Sequence, residues 1–537
     1  MQKTIIILCV WIWSFLSVVL GQEKKIVSLN IEPDREFQVI HSFGASDAWR
    51  CQFVGLNWPE AKKQQMAQWL FSKELDKKGN PLGIGLSMWR FYLGAGSMEQ
   101  GDSSGIVNPW RRAECFLTAD GTYDWSKHAG QQWFLKQAHK YGVENTMAFS
   151  ISAPVYYTIN GKAFSPGQGR TALNIQDDKL DDYARFLVDV CEYFEKKGLG
   201  FDYLSPYNEP QWSWSNPTQE GTPATNEDLF LFTHLLNHEM QKRALKTQLA
   251  LGEAAEYKFL YNKEKSYVGN SDQFREFLSP ESPYFIGQFG SAAPLFSAHS
   301  YFTTWPVEKL INVRKKVRES LDQINPSMDF WQSEFCILEK NDDIKRGGDR
   351  DLGMGTALYV ARVIHYDLTL TNASSWQWWT AITQCDYKDG LIYLDNGNTG
   401  IPSQQHPDNE KLKYDGRFHD SKLLWALGNY SRFVRPGMIR VNVKLDDGKD
   451  LYDQARSLMV SAFKNNATDE IVVVAVNYSD KEFAINIDSL EKYDKRAKTY
   501  VTSEAHDLAF FEKKVDKLTV DPRSVNTIIL KCKQNDE

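Results

Sequence analysis

The sequence predicts an α/β protein, a (β/α)₈ barrel with an appended β-sandwich domain built from both chain ends. Three observations point there. From about Val39 to Phe433, short β-rich runs alternate with longer helical patterns, the sequence form of repeated βα units. The strand candidates number eight, the count that closes such a barrel. After Arg435-Pro436-Gly437 the helical period disappears, and strand-like runs separated by Asn, Asp and Ser turns fill the rest of the chain.

Taken in order, the chain opens with Met1-Gln2-Lys3 and an apolar run from Ile5 to Leu20, with small residues at Val19 and Gly21. This reads as a secretory signal peptide over 1–21, cut before Gln22. The run is shorter than the roughly 20 residues that span a bilayer, so no membrane span is expected after its removal, and the protein is expected outside the cell or in the periplasm. In 22–38, Val27, Leu29 and Ile31 alternate with polar residues at the period of a half-buried strand, assigned to the sandwich.

The barrel is assigned to 39–434. Its strands are read at Val39 to Ala45, Leu86 to Leu93, Asn145 to Ser152, Tyr203 to Asn208, Gln248 to Glu253, Leu295 to Tyr301, Asp329 to Phe335 and Ser374 to Trp379. The helix after the third strand shows the pattern best. Leu180, Tyr183, Ala184, Leu187, Val190, Cys191 and Phe194 share one face, and Lys196-Lys197-Gly198 ends it. Residues 435–537 supply the rest of the sandwich, with runs at Leu458 to Phe463, Ile471 to Tyr478, Phe483 to Ile487, Lys498 to Thr502 and Thr527 to Leu530.

Composition narrows the function classes. Across 537 residues, 42% are apolar and 24% charged, enough for two packed domains and inconsistent with disorder. The net charge of −7 comes without a basic block, which argues against a nucleic-acid partner. Once Cys9 leaves with the signal, Cys51, Cys115, Cys191, Cys336, Cys385 and Cys532 remain. Their wide spacing, with no CxxC pair, argues against a structural zinc site or a disulfide-dependent scaffold, while one or two bridges are allowed.

In a barrel of this kind the chemistry sits where strands end and loops begin. The fourth strand ends in Ser205-Pro206-Tyr207-Asn208-Glu209-Pro210, and the seventh runs Met328-Asp329-Phe330-Trp331-Gln332-Ser333-Glu334-Phe335. Each is an apolar strand that delivers one carboxylate to the mouth, three βα units apart, so Glu209 and Glu334 face one another across a substrate. Retaining glycosidases use two carboxyl groups about 5–5.5 Å apart, one to attack the anomeric carbon and one to protonate the leaving oxygen. Aromatic residues just past these strands, Trp212 and Trp214 after Pro210 and Tyr156 and Tyr157 after the third strand, suit the apolar faces of sugar rings.

Asn208-Glu209-Pro210 and Ser333-Glu334-Phe335 resemble the motifs of the clan A retaining glycosidases. Phe43-Gly44-Ala45-Ser46, Arg90, His299 with Tyr301, Trp376 to Trp379 and Ser431 to Gly437 narrow the resemblance to glycoside hydrolase family 30. It implies Glu209 as acid/base, Glu334 as nucleophile and Asn208 as a donor to the sugar hydroxyl beside the reacting carbon. It further implies that Arg90 and Tyr301 orient Glu334 and that His299 and Trp378 line the reacting subsite. The run from Asn208 to Trp214, followed by Thr218-Gln219-Glu220-Gly221 and Thr225-Asn226-Glu227, is similar to the β-1,6-galactanase branch.

Two positions depart from the glucosylceramidase branch: Tyr156 stands where that branch has a tryptophan, and Ser97 where it has an aspartate. Asp47, Glu99 and Asp102 are the acids available to replace the missing one. The implied substrate is a polysaccharide or oligosaccharide carrying β-1,6-linked galactose, with β-1,6-glucan, xylan and glucosylceramide as rivals within the family. No Walker loop, HExxH motif or GxGxxG after a strand is present, so no cofactor or metal is implied. The readings from other classes are a glycan-binding protein that lost its activity and a divalent-metal hydrolase. Retention of both glutamates opposes the first, and the presence of only His299 at a strand end opposes the second.

Overall fold

The computed structural model describes residues 25–167, 173–267, 269–395 and 407–533. The signal peptide read at 1–21 lies outside them. The strands are β1 Lys25–Val39, β2 Ser42–Ser46, β3 Met88–Leu93, β4 Asn145–Ser150, β5 Tyr203–Ser205, β6 Gln248–Ala254, β7 Ala292–His299, β8 Asp329–Phe335, β9 Ala373–Thr383, β10 Gly390–Asp395 and β11 Arg417–His419. Eight of them, β2 to β9, pair in parallel and in chain order, and β9 returns to β2 to close a (β/α)₈ barrel. β10 and β11 extend this sheet outside the barrel beyond β9.

The first barrel strand begins at Ser42 and not at Val39, because β1 continues to Val39 and pairs there with Ile439. The fourth strand, β5, covers three residues only. Pro206 has no N–H to extend the ladder, so the chain leaves the sheet and carries Asn208 and Glu209 over the mouth. The helix Leu180–Lys196 buries the face read from its periodicity, and Gly198 follows it at φ +71°. Such a left-handed position after a helix favours glycine.

The remaining strands are β12 Ile439–Asp446, β13 Leu458–Asn465, β14 Glu470–Asn477, β15 Phe483–Ile487, β16 Arg496–Ser503, β17 His506–Lys514, β18 Leu518–Val520 and β19 Ser524–Lys531. With β1 they form a mostly antiparallel sheet in the order β17-β16-β19-β14-β13-β12-β1-β15-β18, so both chain ends build one sandwich-like domain. Alternation along β14 shows why it is continuous with the barrel. Val472, Val474 and Val476 join the main core, whereas Ile471, Val473 and Ala475 join the domain's own core with Val27, Leu29 and Ile485. All six cysteines from Cys51 to Cys532 are free thiols, so the bridges the sequence allowed are not formed.

Candidate active site

Four strand ends bring one buried polar cluster together at the C-terminal mouth of the barrel. Glu209 follows β5, Glu253 lies in β6, His299 ends β7 and Glu334 lies in β8, while Arg90 reaches in from β3. One oxygen of Glu209, one oxygen of Glu334 and one ring nitrogen of His299 all lie within 4.8 Å of one another. Tyr301 Oη donates to Glu334 Oε1 at 3.0 Å, and Arg90 Nη1 donates to Glu334 Oε2 at 3.3 Å. Both oxygens of Glu334 are therefore fixed, on a side chain that lines the cleft.

Glu209 is held by its backbone as well as by its side chain. Its φ is +44°, a left-handed conformation uncommon outside glycine, and its N–H donates to Glu253 O at 2.9 Å. Its carbonyl accepts Trp214 Nε1 at 3.0 Å. His299 bridges two carboxylates, with Nδ1 2.9 Å from Glu209 Oε1 and Nε2 2.7 Å from Glu253 Oε2. Arg90 Nη2 lies 3.8 Å from the same Glu253 oxygen, and its guanidinium sits 4.4 Å from the Phe149 ring centroid.

Electrostatics follow from this geometry. Burial pushes the Glu209 carboxyl up, with Glu334 and Glu253 adding to the rise and His299 opposing it. Burial alone would depress His299, but Glu334, Glu209 and Glu253 push it up to about 10, which favours the protonated ring. Burial alone would raise Glu253, but the His299 hydrogen bond, its charge and Arg90 hold the carboxyl below the usual range. Among the described residues, Glu209, His299 and Glu334 are the one cluster of three potential metal ligands.

A cleft of about 660 Å³ opens above the pair and is lined by Asn208, Trp212, Trp214, Tyr301 and Trp379 among others. Asn208 lines the cleft beside Glu209, and its Oδ1 is buried without a hydrogen-bond partner among the described residues. Glu209, Glu334, Asn208, Arg90, His299, Tyr301 and Trp212 thus converge.

Five residues of the expected site do not line the cleft: Arg90 and His299, the latter expected in the reacting subsite, lie fully buried against the carboxylates, and Trp378, Tyr156 and Asp47 lie elsewhere. Trp378 is fully buried, because the two-residue period of β9 puts it with Trp376 on the helix-facing side; the neighbouring Trp379 takes the cleft. Tyr156 is half-buried against Ala95, Val155 and Ala163. Asp47 is fully buried beneath the site, accepting from Tyr92 N at 2.8 Å and Gln131 Nε2 at 2.9 Å. Neither of the other two acids fills the place beside Ser97. Glu99 pairs with Lys127 at 3.3 Å, and Asp102 with Arg112 at 2.9 Å.

Glu220 takes that place instead. Its carboxylate accepts from Ala95 N at 2.9 Å, Ser97 N at 3.2 Å, Ser97 Oγ and the Tyr92 hydroxyl. Burial pushes it up to about 7. With these donors spent on it, Glu220 ties the loop after β5 to the loop after β3. Sequence reasoning missed Glu220 and Glu253 as site residues. The signal for Glu253 was a carboxylate at the end of the apolar run Leu249-Ala250-Leu251-Gly252, the same signal that marked Glu334.

A (β/α)₈ barrel that presents two buried carboxyl groups across its mouth beneath an aromatic cleft has the architecture of a glycoside hydrolase. The chain belongs to O-glycosyl hydrolase family 30, whose model matches residues 26–393. A crystal structure of a conserved exported protein from Bacteroides fragilis is 37% identical, over 94% of this chain and 100% of that one, with a TM-score of 0.87. The catalytic domain of xylanase C from Talaromyces cellulolyticus shares the fold at 21% identity, over 94% of this chain and 100% of that one, with a TM-score of 0.64. An exo-β-1,6-galactobiohydrolase from Bifidobacterium longum subsp. longum is 28% identical over 114 residues, 20% of this chain. The chain matches 7% of that relative's length. Among the described residues, no helix is long and apolar enough to cross a membrane.

Proposed function

We propose that this protein is an exported retaining glycosidase that hydrolyses β-1,6-linked galactan side chains by double displacement. The observation that carries the retaining mechanism is the approach of a Glu209 oxygen and a Glu334 oxygen to within 4.8 Å. An inverting enzyme separates its carboxyl groups by roughly 6.5–9.5 Å to seat a water between them. Glu334, fixed by Arg90 and Tyr301, attacks the anomeric carbon. Glu209, kept protonated by burial, gives its proton to the departing oxygen. In the second half-reaction Glu209 takes a proton from water, and that water displaces Glu334 from the sugar.

The galactan reading is supported by the run from Asn208 to Trp214 and by the short match to the galactobiohydrolase. Export is supported by the apolar run at the start of the sequence and by the exported relative. The test is incubation with β-1,6-galactooligosaccharides and, separately, β-1,6-glucan, in chelator, followed by sizing of the products. Turnover of the galactan series supports the reading. Turnover of the glucan alone overturns the sugar but keeps the mechanism, and no turnover of any β-linked glycan leaves the glycan-binding alternative.

A further inference from the structure

Glu253 is fully buried, and its carboxylate is engaged by residues from two other barrel strands. His299 Nε2 contacts its Oε2 at 2.7 Å, Arg90 Nη2 stands 3.8 Å from the same oxygen, and its own carbonyl receives the Glu209 N–H at 2.9 Å. It adopts φ +51°, so two consecutive barrel strands end in left-handed glutamates joined by that hydrogen bond. A left-handed conformation costs free energy for a residue with a side chain, which makes the pair a place to look for function.

We propose that Glu253 is a positioning residue that decides which oxygen of Glu209 carries the catalytic proton. The inference rests on the reading of Glu209 as the acid. A histidine whose two ring nitrogens both face carboxyl groups donates to both as an imidazolium, whereas a neutral ring presents a lone pair on one side and needs a protonated carboxyl there. With Glu253 ionised, His299 donates from Nε2 to Glu253 and from Nδ1 to Glu209 Oε1. Oε1 is then an acceptor, and the Glu209 proton resides on Oε2, the oxygen His299 does not touch. The charges balance in that state: Arg90⁺ and His299⁺ offset Glu253⁻ and Glu334⁻, and Glu209 is neutral.

Remove the charge of Glu253 and the balance changes. A neutral His299 donates Nε2–H to the replacement amide and turns the Nδ1 lone pair toward Glu209. The Glu209 proton is then drawn onto Oε1, into a hydrogen bond with the ring and away from the leaving oxygen. The charged and titratable groups around this pair come from several elements: Arg90 on β3, Glu209 after β5, Glu334 on β8 and Tyr301 after β7. Tyr301 meets the His299 ring edge-on at 5.7 Å. None of them supplies a second carboxylate to Nε2.

The test compares the full-length wild type with Glu253→Gln on two substrates of the same sugar, a 2,4-dinitrophenyl glycoside that leaves without protonation and an alkyl glycoside that needs it. General acid assistance is worth roughly 10²–10⁴-fold. The expected result is a loss on the alkyl glycoside at least about tenfold greater than the loss on the dinitrophenyl glycoside. Equal losses on both would mean that Glu253 only supports the architecture, and would overturn the proposal. Nitrogen-15 NMR of His299 gives a readout that does not depend on turnover. Two protonated ring nitrogens in the wild type at neutral pH, with one in Glu253→Gln, support it, and a neutral ring in the wild type overturns it. Glu209→Ala measured alongside separates the two layers. If that variant shows no leaving-group dependence, the acid assignment falls and this inference with it; if it does and Glu253→Gln does not, the role of Glu253 alone is wrong.

Discussion

Tyr301 donates a 3.0 Å hydrogen bond to the same Glu334 oxygen that faces His299, while Arg90 holds the other oxygen. A hydrogen bond to a charged group contributes about 1.5–3 kcal/mol. Tyr301→Phe is therefore expected to lower kcat/KM by roughly 10- to 150-fold at an RT of ~0.6 kcal/mol. The loss should appear equally on activated and unactivated glycosides, because the nucleophile is needed for both. A loss confined to poor leaving groups would place Tyr301 with the acid instead.

Glu209→Ala removes proton donation but keeps Glu334. On an activated aryl glycoside this variant should retain far more activity than Glu334→Ala, and added azide should restore its turnover by occupying the space of the lost carboxylate. Equal inactivity of the two variants in this assay, with no azide effect, would mean that the division of labour is wrong.

Trp214 tests the cleft. Its ring lies against Gly221, where a Cβ would stand 2.4 Å from Trp214 Cδ2. Gly221→Ala must push the ring out of place, and overpacking of this kind costs roughly 1–3 kcal/mol. Both Gly221→Ala and Trp214→Ala are expected to raise KM for oligosaccharides several-fold while changing KM for a small aryl glycoside less. Isothermal titration with an oligosaccharide product checks it, and unchanged affinity in both variants would remove Trp214 from substrate binding.

Two pH effects follow. Glu209 must be protonated to act, and its carboxyl stands above its ordinary 4.5, so kcat/KM falls as pH rises through that raised value. His299 goes the same way for stability: raised from 6.5 to about 10, it contributes stability fully below pH ~6.5 and loses it as pH climbs through about 10. Melting temperatures across pH 6.5 to 10 should fall more steeply in the wild type than in His299→Gln. Parallel curves would mean that the ring is not protonated in the folded protein.

The barrel was legible because its strands are apolar runs set at regular intervals and its helices carry one apolar face, as in Leu180–Lys196. Glu209 and Glu334 were legible because each closes such a run with one acid. Glu253 does the same, yet it sits in no motif, and only the closed barrel brings it under His299. The misplaced Trp378 is a question of parity, since an aromatic run gives no polar partner from which to read the inward face. Glu220's role was beyond sequence reading because its donors, Tyr92 on β3 and Ala95 and Ser97 just after it, lie far from it in the chain and two are backbone N–H groups.

The central claim is double displacement through Glu334, and the anomeric configuration of the first product reports on it directly. Proton NMR during the first minutes of hydrolysis of a β-linked substrate should show the β-anomer, with the α-anomer growing in later by mutarotation. First appearance of the α-anomer would contradict the account, because a single inverting displacement is the only way these two carboxyl groups could produce it.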